Sequence, residues 1–366
     1  MVHMAKDDIA QMRIKRIEKE IRDTPYHKGT EHHIGRLRAR LSKLKDDLEP
    51  RSGKSGGAGG YAVKKQGDAT IVLVGPPSVG KSTLINKLTN ANSKIAPYAF
   101  TTVSVIPGMM VYKNARIQIL DVPGLIKGAE EGKGRGREVL SVVRGCDLLV
   151  IMTDTQNIDA LDRLYTVLER NGIRPDKAKP DVVIKKKLGG GIIIHSNIHQ
   201  DISKETIKGV IEEMGLKNGE VTINEKVTIE ALIDTLARNR VYVPTLKIIN
   251  KADTEDIRYH VSKHGNRDAI AISAEKGVGL DTLKEAVWEK LGFISIYLVG
   301  MDEEPGFNNP LITKSDKTLA DIAAVIGNDF AEGKTRAKIW ASGAKFPGQD
   351  VSLKTKVQEG MQVRFI

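Results

Sequence analysis

The sequence predicts an α/β protein. A mostly parallel sheet has helices on both faces and an α+β subdomain inserted into it, with a helical hairpin ahead of it and a small α+β domain behind. Three observations carry that expectation. From about residue 68, short apolar runs alternate with helical stretches, as strands buried on both faces do. One such run, Ile71–Val74, feeds the glycine-rich turn Gly75-Pro76-Pro77-Ser78-Val79-Gly80-Lys81-Ser82, and a helix leaves it. The interval between the helix ending near 171 and the strand at 246 far exceeds the ~15 residues that structureless loops rarely pass, so it has to fold as a subdomain.

Residues 1–60 read as a basic helical hairpin with a flexible tail. Ile14, Ile17 and Ile21 share a face of the first helix, and Thr24-Pro25 ends it because the residue before a proline avoids helix. In the second helix Ile34, Leu37, Leu41, Leu44 and Leu48 form a seam to bury against the first. Its other face shows Arg36, Arg38, Arg40, Lys43 and Lys45, read as a solvated surface ahead of a dedicated RNA contact. Residues 51–60 are a Gly/Ser-rich linker. The Gly53-Lys54-Ser55 inside it is no phosphate loop, since position 49 is Glu and a helix precedes it.

Strands at 71–74, 116–120, 148–152, 246–249 and 269–272, with helices at 81–90, 136–145, 159–171 and 279–290, make a sheet domain in two parts, 61–173 and 241–292. The insertion, 174–240, shows strands at 182–184, 191–195 and 221–223 and helices at 203–214 and 230–238. The last domain, 293–366, opens on strand 294–299, has a helix near 318–327 and ends on strands at 336–341 and 361–366.

Composition narrows the class. At 40% hydrophobic residues the chain can build cores. Cys146 is its one cysteine, which rules out an intramolecular disulfide and points to a reducing compartment, the cytoplasm. No apolar run approaches the ~20 residues of a membrane-spanning helix and Met1–Asp8 lacks a signal-peptide core, so no membrane partner is expected. The net charge of +11 lies forward, with +5 in residues 1–60 and +4 in 61–173, while nine basic and nine acidic residues cancel in 293–366. The excess suits a polyanion such as RNA through counterion release.

The turn at Gly75–Ser82 matches G-x-x-x-x-G-K-[ST] between a strand and a helix, the setting in which that pattern cradles phosphates. Loop amides and the helix N-terminus meet phosphate oxygens, Lys81 neutralises β/γ charge and Ser82 ligates Mg2+, with Pro76, Pro77, Val79 and Thr83 completing the loop. Asn250-Lys251-Ala252-Asp253 follows the strand 246–249. Asp253 can accept from guanine N1–H and the 2-amino group, a pair of donors that adenine lacks, while Lys251 lies along the base. Ser273-Ala274 ends another strand and can point an N–H at guanine O6.

Asp121-Val122-Pro123-Gly124 closes the strand 116–120, with Asp121 expected to hold Mg2+ through water and Gly124 to sense the γ-phosphate. Within Phe100-Thr101-Thr102, Thr102 is favoured to complete the Mg2+ shell. Lys81, Thr102 and Gly124 make the expected catalytic set. Leu125 follows Gly124 where many Ras-like GTPases carry a water-orienting glutamine; leucine cannot hydrogen-bond, so slow unaided turnover is expected. Ser78 stands where some related GTPases carry a potassium-ligating asparagine, which leaves K+ dependence open. Lys185–Lys187 reads as a solvated hairpin tip ahead of an rRNA contact, and Arg135 and Arg137 as solvated loop residues. His195 and His199 have no cysteine near them to complete a zinc site.

In order, G-P-P-S-V-G-K-S-T (75–83), F-T-T (100–102), D-V-P-G-L-I-K-G-A-E-E-G-K-G-R-G (121–136) and N-K-A-D (250–253) resemble the Obg superfamily of GTPases, and within it the developmentally regulated GTP-binding proteins (DRG). That family's usual phosphate loop has Phe where Pro76 stands. The resemblance covers essentially the whole chain. It implies a P-loop GTPase domain, a ribosomal-protein-type insertion and, at 293–366, a TGS domain of ubiquitin-like β-grasp fold. It further implies a cytoplasmic, translation-associated switch that hydrolyses GTP to GDP and phosphate with Mg2+, acts on ribosomes or RNA, and is joined by a small regulatory partner protein. A nucleotide-gated scaffold with negligible turnover is the alternative that Leu125 keeps open.

Overall fold

The computed structural model describes residues 2–48, 66–89, 96–97, 104–122, 135–237, 239–253 and 268–366. The expected linker, Thr102, Gly124 and Leu125 lie outside the described residues, as do the side chains of Arg135 and Arg137. In chain order the first elements are α1 (Val2–Asp23), α2 (Glu31–Leu48), β1 (Ala69–Val74), α3 (Lys81–Thr89), β2 (Ala96–Pro97), β3 (Ser104–Tyr112) and β4 (Ala115–Asp121). There follow α4 (Arg135–Arg144), β5 (Leu148–Asp154), α5 (Ala160–Arg170), β6 (Ile173–Pro175), β7 (Val182–Lys186), β8 (Ile192–Ser196), α6 (Lys204–Glu213), β9 (Gly219–Ile223), α7 (Ile229–Leu236) and β10 (Val241–Val243). The rest holds β11 (Thr245–Asn250), β12 (Ile270–Ala271), α8 (Leu280–Leu291), β13 (Phe293–Leu298), β14 (Pro310–Lys314), α9 (Leu319–Ile326), α10 (Asn328–Glu332), β15 (Arg336–Ala341), β16 (Gln349–Ser352) and β17 (Met361–Phe365). Two compact units result, residues 1–60 with 169–242 and residues 61–168 with 243–366.

The larger unit is built on a seven-stranded sheet in the order β12-β11-β5-β1-β4-β3-β2. β1 pairs in parallel with β4 and β5, and β5 with β11. Every residue of β1 and β5 is buried, which is why both read as unbroken apolar runs rather than alternating ones. β3 meets β4 through Lys113 (φ 44°) and Asn114 (φ 67°), the two left-handed residues that a tight primed hairpin turn needs. Leu84 and Ile85 of α3 and Leu283, Val287 and Trp288 of α8 pack with Ile71, Leu73, Ile119 and Val150 as one core. Each such side chain contributes about 1.5–3 kcal/mol on burial, more than a typical hydrogen bond, so this core is what holds the strand ends in place.

The same core runs into the C-terminal domain. Trp288 meets Phe293 edge to face, ring centroids 5.5 Å apart, across Gly292, whose left-handed backbone (φ 65°) ends α8. The domain boundary read from the sequence, 293, thus falls on a residue packed in the preceding core. Beyond it β14-β13-β17-β15-β16 form a mixed sheet with β13 and β17 parallel and β15 antiparallel to β17. Ile296, Ala337, Ile339, Val363 and Phe365 pack against Leu319 and Ile322 of α9, and Thr318 with Asp321 forms a capping box at its start. This is a β-grasp fold.

In the smaller unit α2 lies against α6 and α7 as well as α1. Ala39 is fully buried in a core with Ile207, Val210, Val221 and Leu232, to which the three-stranded sheet β7-β9-β8 contributes. The approach is close: a Cβ on Gly209 would stand 2.5 Å from the His32 ring. The basic row of α2 is solvent-exposed at Arg36, Arg40, Lys43 and Lys45, as expected, and is also paired within the unit. Arg36 and Arg40 bond Glu213, Arg38 pairs with Glu230, Lys43 donates to the Glu213 carbonyl and Lys45 pairs with Glu18. Exposed pairs of this kind contribute only ~0.2–1 kcal/mol each; their main effect is to occupy the row within the unit. Arg240 also joins Asp234 (2.9 Å) to Asp46 (3.2 Å).

Glu31 is the most consequential polar group here. Buried, it accepts from the Ser203 N–H (2.9 Å) and the Thr206 hydroxyl (3.1 Å) at the start of α6, and from Lys28 (2.8 Å). Burial pushes its pKa up, but the bonds from Lys28, Ser203 and Thr206 outweigh this and hold it below the ordinary glutamate range. A depressed folded-state pKa stabilises the fold above the unfolded value, and that contribution is lost as pH falls through the folded value. Glu31→Gln is expected to lower stability by about 2 kcal/mol in urea titrations at neutral pH, a difference that narrows as pH falls below the ordinary glutamate value of about 4.3 and closes only below the lowered folded-state value.

Candidate nucleotide-binding site

The ends of β1, β4, β5 and β11 bring most of the expected site residues together. Two glycines shape the turn after β1. A Cβ on Gly75 would sit 2.1 Å from the Met152 carbonyl oxygen, and one on Gly80, at φ 93°, would sit 2.4 Å from the Asn250 side chain. Ser78 adopts a left-handed backbone without being glycine (φ 62°). Pro76 and Pro77 carry no N–H, so main-chain donors for an anion begin at Ser78 and run into the orphan amides of the first turn of α3. Val79 is buried, whereas Pro77, Ser82 and Thr83 are exposed.

Lys81 is buried and donates back to the Gly75 and Pro76 carbonyls at 3.3 and 2.9 Å. Burial lowers its pKa, with the Asp121 charge pulling the other way. Burial raises the pKa of Asp121 in turn, against the pull of Lys81 and the Ser82 hydroxyl. Ser82 Oγ donates to Asp121 Oδ2 at 3.2 Å, while Asp121 Oδ1 is buried with no hydrogen-bond partner among the described residues. A buried carboxylate oxygen is costly unless something meets it. Hydroxyl and carboxylate oxygens are also the hard donors Mg2+ takes, with waters in its remaining positions. Ser82 and Asp121 therefore fit a Mg2+ ion.

On the base side, buried Asn250 gives its amide to the scaffold. Nδ2 donates to the Val79 carbonyl at 2.8 Å and Oδ1 accepts from the Ala274 N–H at 2.9 Å, bracing the phosphate loop against Ser273-Ala274. The N–H expected to reach guanine O6 is thus already engaged, and that of Ser273 donates to the Val278 carbonyl at 3.0 Å. O6 would have to displace the Asn250 oxygen or be met by the next amide, that of Glu275. Asp253 pairs with Lys276 at 2.9 Å, and bonds from Lys276 and the Ser273 side chain hold its carboxyl below the ordinary range. It is therefore ionised at neutral pH and can only accept.

Lys251, left-handed at φ 61°, reaches Asp154 Oδ2 at 2.9 Å. Burial raises Asp154, but the bonds from Lys251 and Asn157 bring it below the carboxylate range. Asp154 escaped the sequence reading. Its only signal in the sequence was its place two residues behind the apolar run 148–152; the structure sets it in register with Asn250 on the neighbouring strand. Thr102 and Gly124 lie outside the described residues.

The fold and the site define a GTP-binding protein of the P-loop GTPase class. A family model described as a 50S ribosome-binding GTPase matches residues 70–186, and one described as the C-terminal region of that domain matches residues 189–293. A GTP-binding protein of Methanocaldococcus jannaschii is 47% identical over 95% of this chain and 90% of its own length, and developmentally-regulated G-protein 3 of Arabidopsis thaliana 37% over 97% and 98%. The chain belongs to the developmentally regulated GTP-binding protein family. Among solved structures, Era of Aquifex aeolicus bound to GDP and AlF4− aligns with a TM-score of 0.34 at 21% identity, over 71% of this chain and 65% of that one. Among the described residues no helix is long and apolar enough to cross a membrane.

Proposed function

We propose that this protein is a Mg2+-dependent cytoplasmic switch that binds GTP, hydrolyses it to GDP and phosphate, and acts on ribosomes or RNA. The observation that supports it most is the buried, unpartnered Asp121 oxygen beside Ser82 and Lys81, where the loop after β4 begins. In this reading Ser82 and Asp121 hold Mg2+ with Thr102 completing the set; when bound, the ion offsets phosphate charge. Lys81 turns from the Gly75 and Pro76 carbonyls to the β/γ oxygens, and the amides of Ser78–Thr83 cradle them. Asp253 accepts from guanine N1–H and the 2-amino group. Lys251, steadied by Asp154, lies along the base, and Asn250 keeps the two halves of the site in register. The Gly124 amide reads the γ-phosphate.

Two modules would present the switch to its target: the hairpin (1–60) acting with the insertion (174–240), and the C-terminal domain (293–366), of TGS type. Leu125 offers no group to orient water, so turnover is slow until a ribosome, an RNA or a small family-type partner protein supplies one. The same residue favours a second reading, a nucleotide-gated scaffold. Single-turnover hydrolysis with and without ribosomes, in Mg2+ or in chelator, separates the two. The expected result is a Mg2+ requirement and at least about tenfold stimulation; no stimulation favours the scaffold, and Mg2+-independent hydrolysis removes the role given to Asp121. Exchanging K+ for Na+ in the same assay decides whether Ser78 serves a potassium ion.

A further inference from the structure

In the smaller unit a cleft of about 620 Å3 runs between α1 and α2. Its two walls carry charge of the same sign, Arg13 and Arg16 on α1 and Arg36 and Arg40 on α2. On the α2 wall that charge is met. Arg40 donates to Glu213 of α6 through Nε at 2.8 Å and Nη2 at 3.2 Å, and Arg36 adds a bond at 3.3 Å. On the α1 wall it is not. Arg13 and Arg16 are exposed and have no carboxylate partner among the described residues. Glu20, the one acid lining the cleft, is engaged by His33 at 3.1 Å. Like charges one turn apart on a helix repel, so the α1 wall gains from an anion that enters.

Below the arginines the cleft is apolar. Ile17 and Leu37 are buried in its floor, and Leu44 is half-buried. Ile9 and Met12, 48% and 64% exposed, carry apolar surface further along α1. With Arg13 and Arg16 they stand at i, i+3, i+4 and i+7, one face of the helix. From His32 to Leu44 the cleft follows α2 for about 18 Å, more than three turns. No Phe, Tyr or Trp lines it among the described residues.

An apolar floor between cationic rims matches an amphipathic helix. One apolar row fills the floor, and acidic residues flanking that row reach the arginines of both walls. Arg40 already holds a carboxylate with two nitrogens, the geometry an incoming glutamate would take on Arg13 or Arg16. RNA would use the cations but leave the apolar strip unmatched, with no aromatic ring for a base to stack on. A second copy of this chain, at +11, would bring more positive charge to the arginines. We propose that the cleft between α1 and α2 is a docking groove for an acidic amphipathic helix of another protein. The groove shares no residue with the nucleotide site, so its occupancy can be tested apart from GTP binding.

The test is fluorescence anisotropy of the full chain with a labelled synthetic helix of about 14 residues, ~21 Å long, with one leucine row flanked on both sides by glutamates. Saturable binding with a Kd of about 10–50 µM is expected. Changing the glutamates to glutamine, or scrambling the same residues out of helical register, is expected to weaken it at least about tenfold. Arg13→Glu/Arg16→Glu, at two exposed positions with no carboxylate bond to break, is expected to cost at least about tenfold as well, with GTP affinity and melting temperature unchanged. Ile9→Ser/Met12→Ser is expected to cost about threefold and to leave the salt dependence as it was. No saturable binding of the helix, equal binding of the scrambled peptide, or full affinity in the arginine variant overturns the proposal. Binding of a single-stranded RNA of about ten nucleotides in place of the helix, lost in the same variant, overturns it in favour of a nucleic-acid surface.

Discussion

Lys81→Ala is expected to reduce affinity for GTP and GDP about 10²- to 10³-fold, a loss of ~3–4 kcal/mol by isothermal titration calorimetry. The lysine is buried beside a loop in which Pro76 and Pro77, the residues after Gly75, have no N–H to offer. Removing the ammonium therefore takes away the strongest donor that an incoming β/γ-phosphate would find there. Among the described residues Nζ bonds the Gly75 and Pro76 carbonyls, and burial already works against its charge. The variant should consequently fold, with its secondary structure unchanged by circular dichroism, and lack the rise in melting temperature that saturating GTP gives the parent. Wild-type affinity in the variant would remove the phosphate-binding role from the Gly75–Ser82 turn.

Asp253→Asn is expected to exchange guanine for xanthine preference by at least about 10²-fold in competition against labelled GDP. The carboxylate is ionised at neutral pH, because bonds from Lys276 and Ser273 hold its pKa down, and an ionised carboxylate only accepts. Guanine presents two donors on the edge it would meet. An amide presents one acceptor and one donor, which fits xanthine's N1–H and 2-carbonyl and leaves guanine's amino group facing another donor. An unchanged base preference would show that the base lies against some other group.

Much of the sheet was legible because its strands are buried on both faces and advertise it. β1 and β5 appear as apolar runs, and their motif-bearing ends follow directly. β3 was not legible. Pro107-Gly108 lies in its middle, and both residues ordinarily argue against a strand. The structure explains the glycine: a Cβ on Gly108 would stand 2.6 Å from Thr89 and 2.8 Å from Ile85, so α3 crosses too close for any side chain. The expected site residues that the structure describes lie together at the strand ends, but how each side chain is engaged was not legible. Asn250 was grouped with the base-binding residues, and only coordinates show its amide divided between Val79 and Ala274. The pairing of Arg36 and Arg40 with Glu213 joins residues far apart in the chain, and no local periodicity records a partner at that distance. Thr102 and Gly124 lie outside what the structure describes, and their roles rest on resemblance and on the experiments above.

The meeting of Trp288 and Phe293 across Gly292 sets how the last 74 residues can be handled. A module on a tether explores a volume fixed by tether length, but one whose first strand is rooted in its neighbour's interior keeps a fixed bearing. Grafting this β-grasp unit onto another GTPase would require transplanting the tryptophan-bearing end of α8 with it. A protease cutting at that junction would have to unfold part of the nucleotide-binding domain's core before it could release the unit.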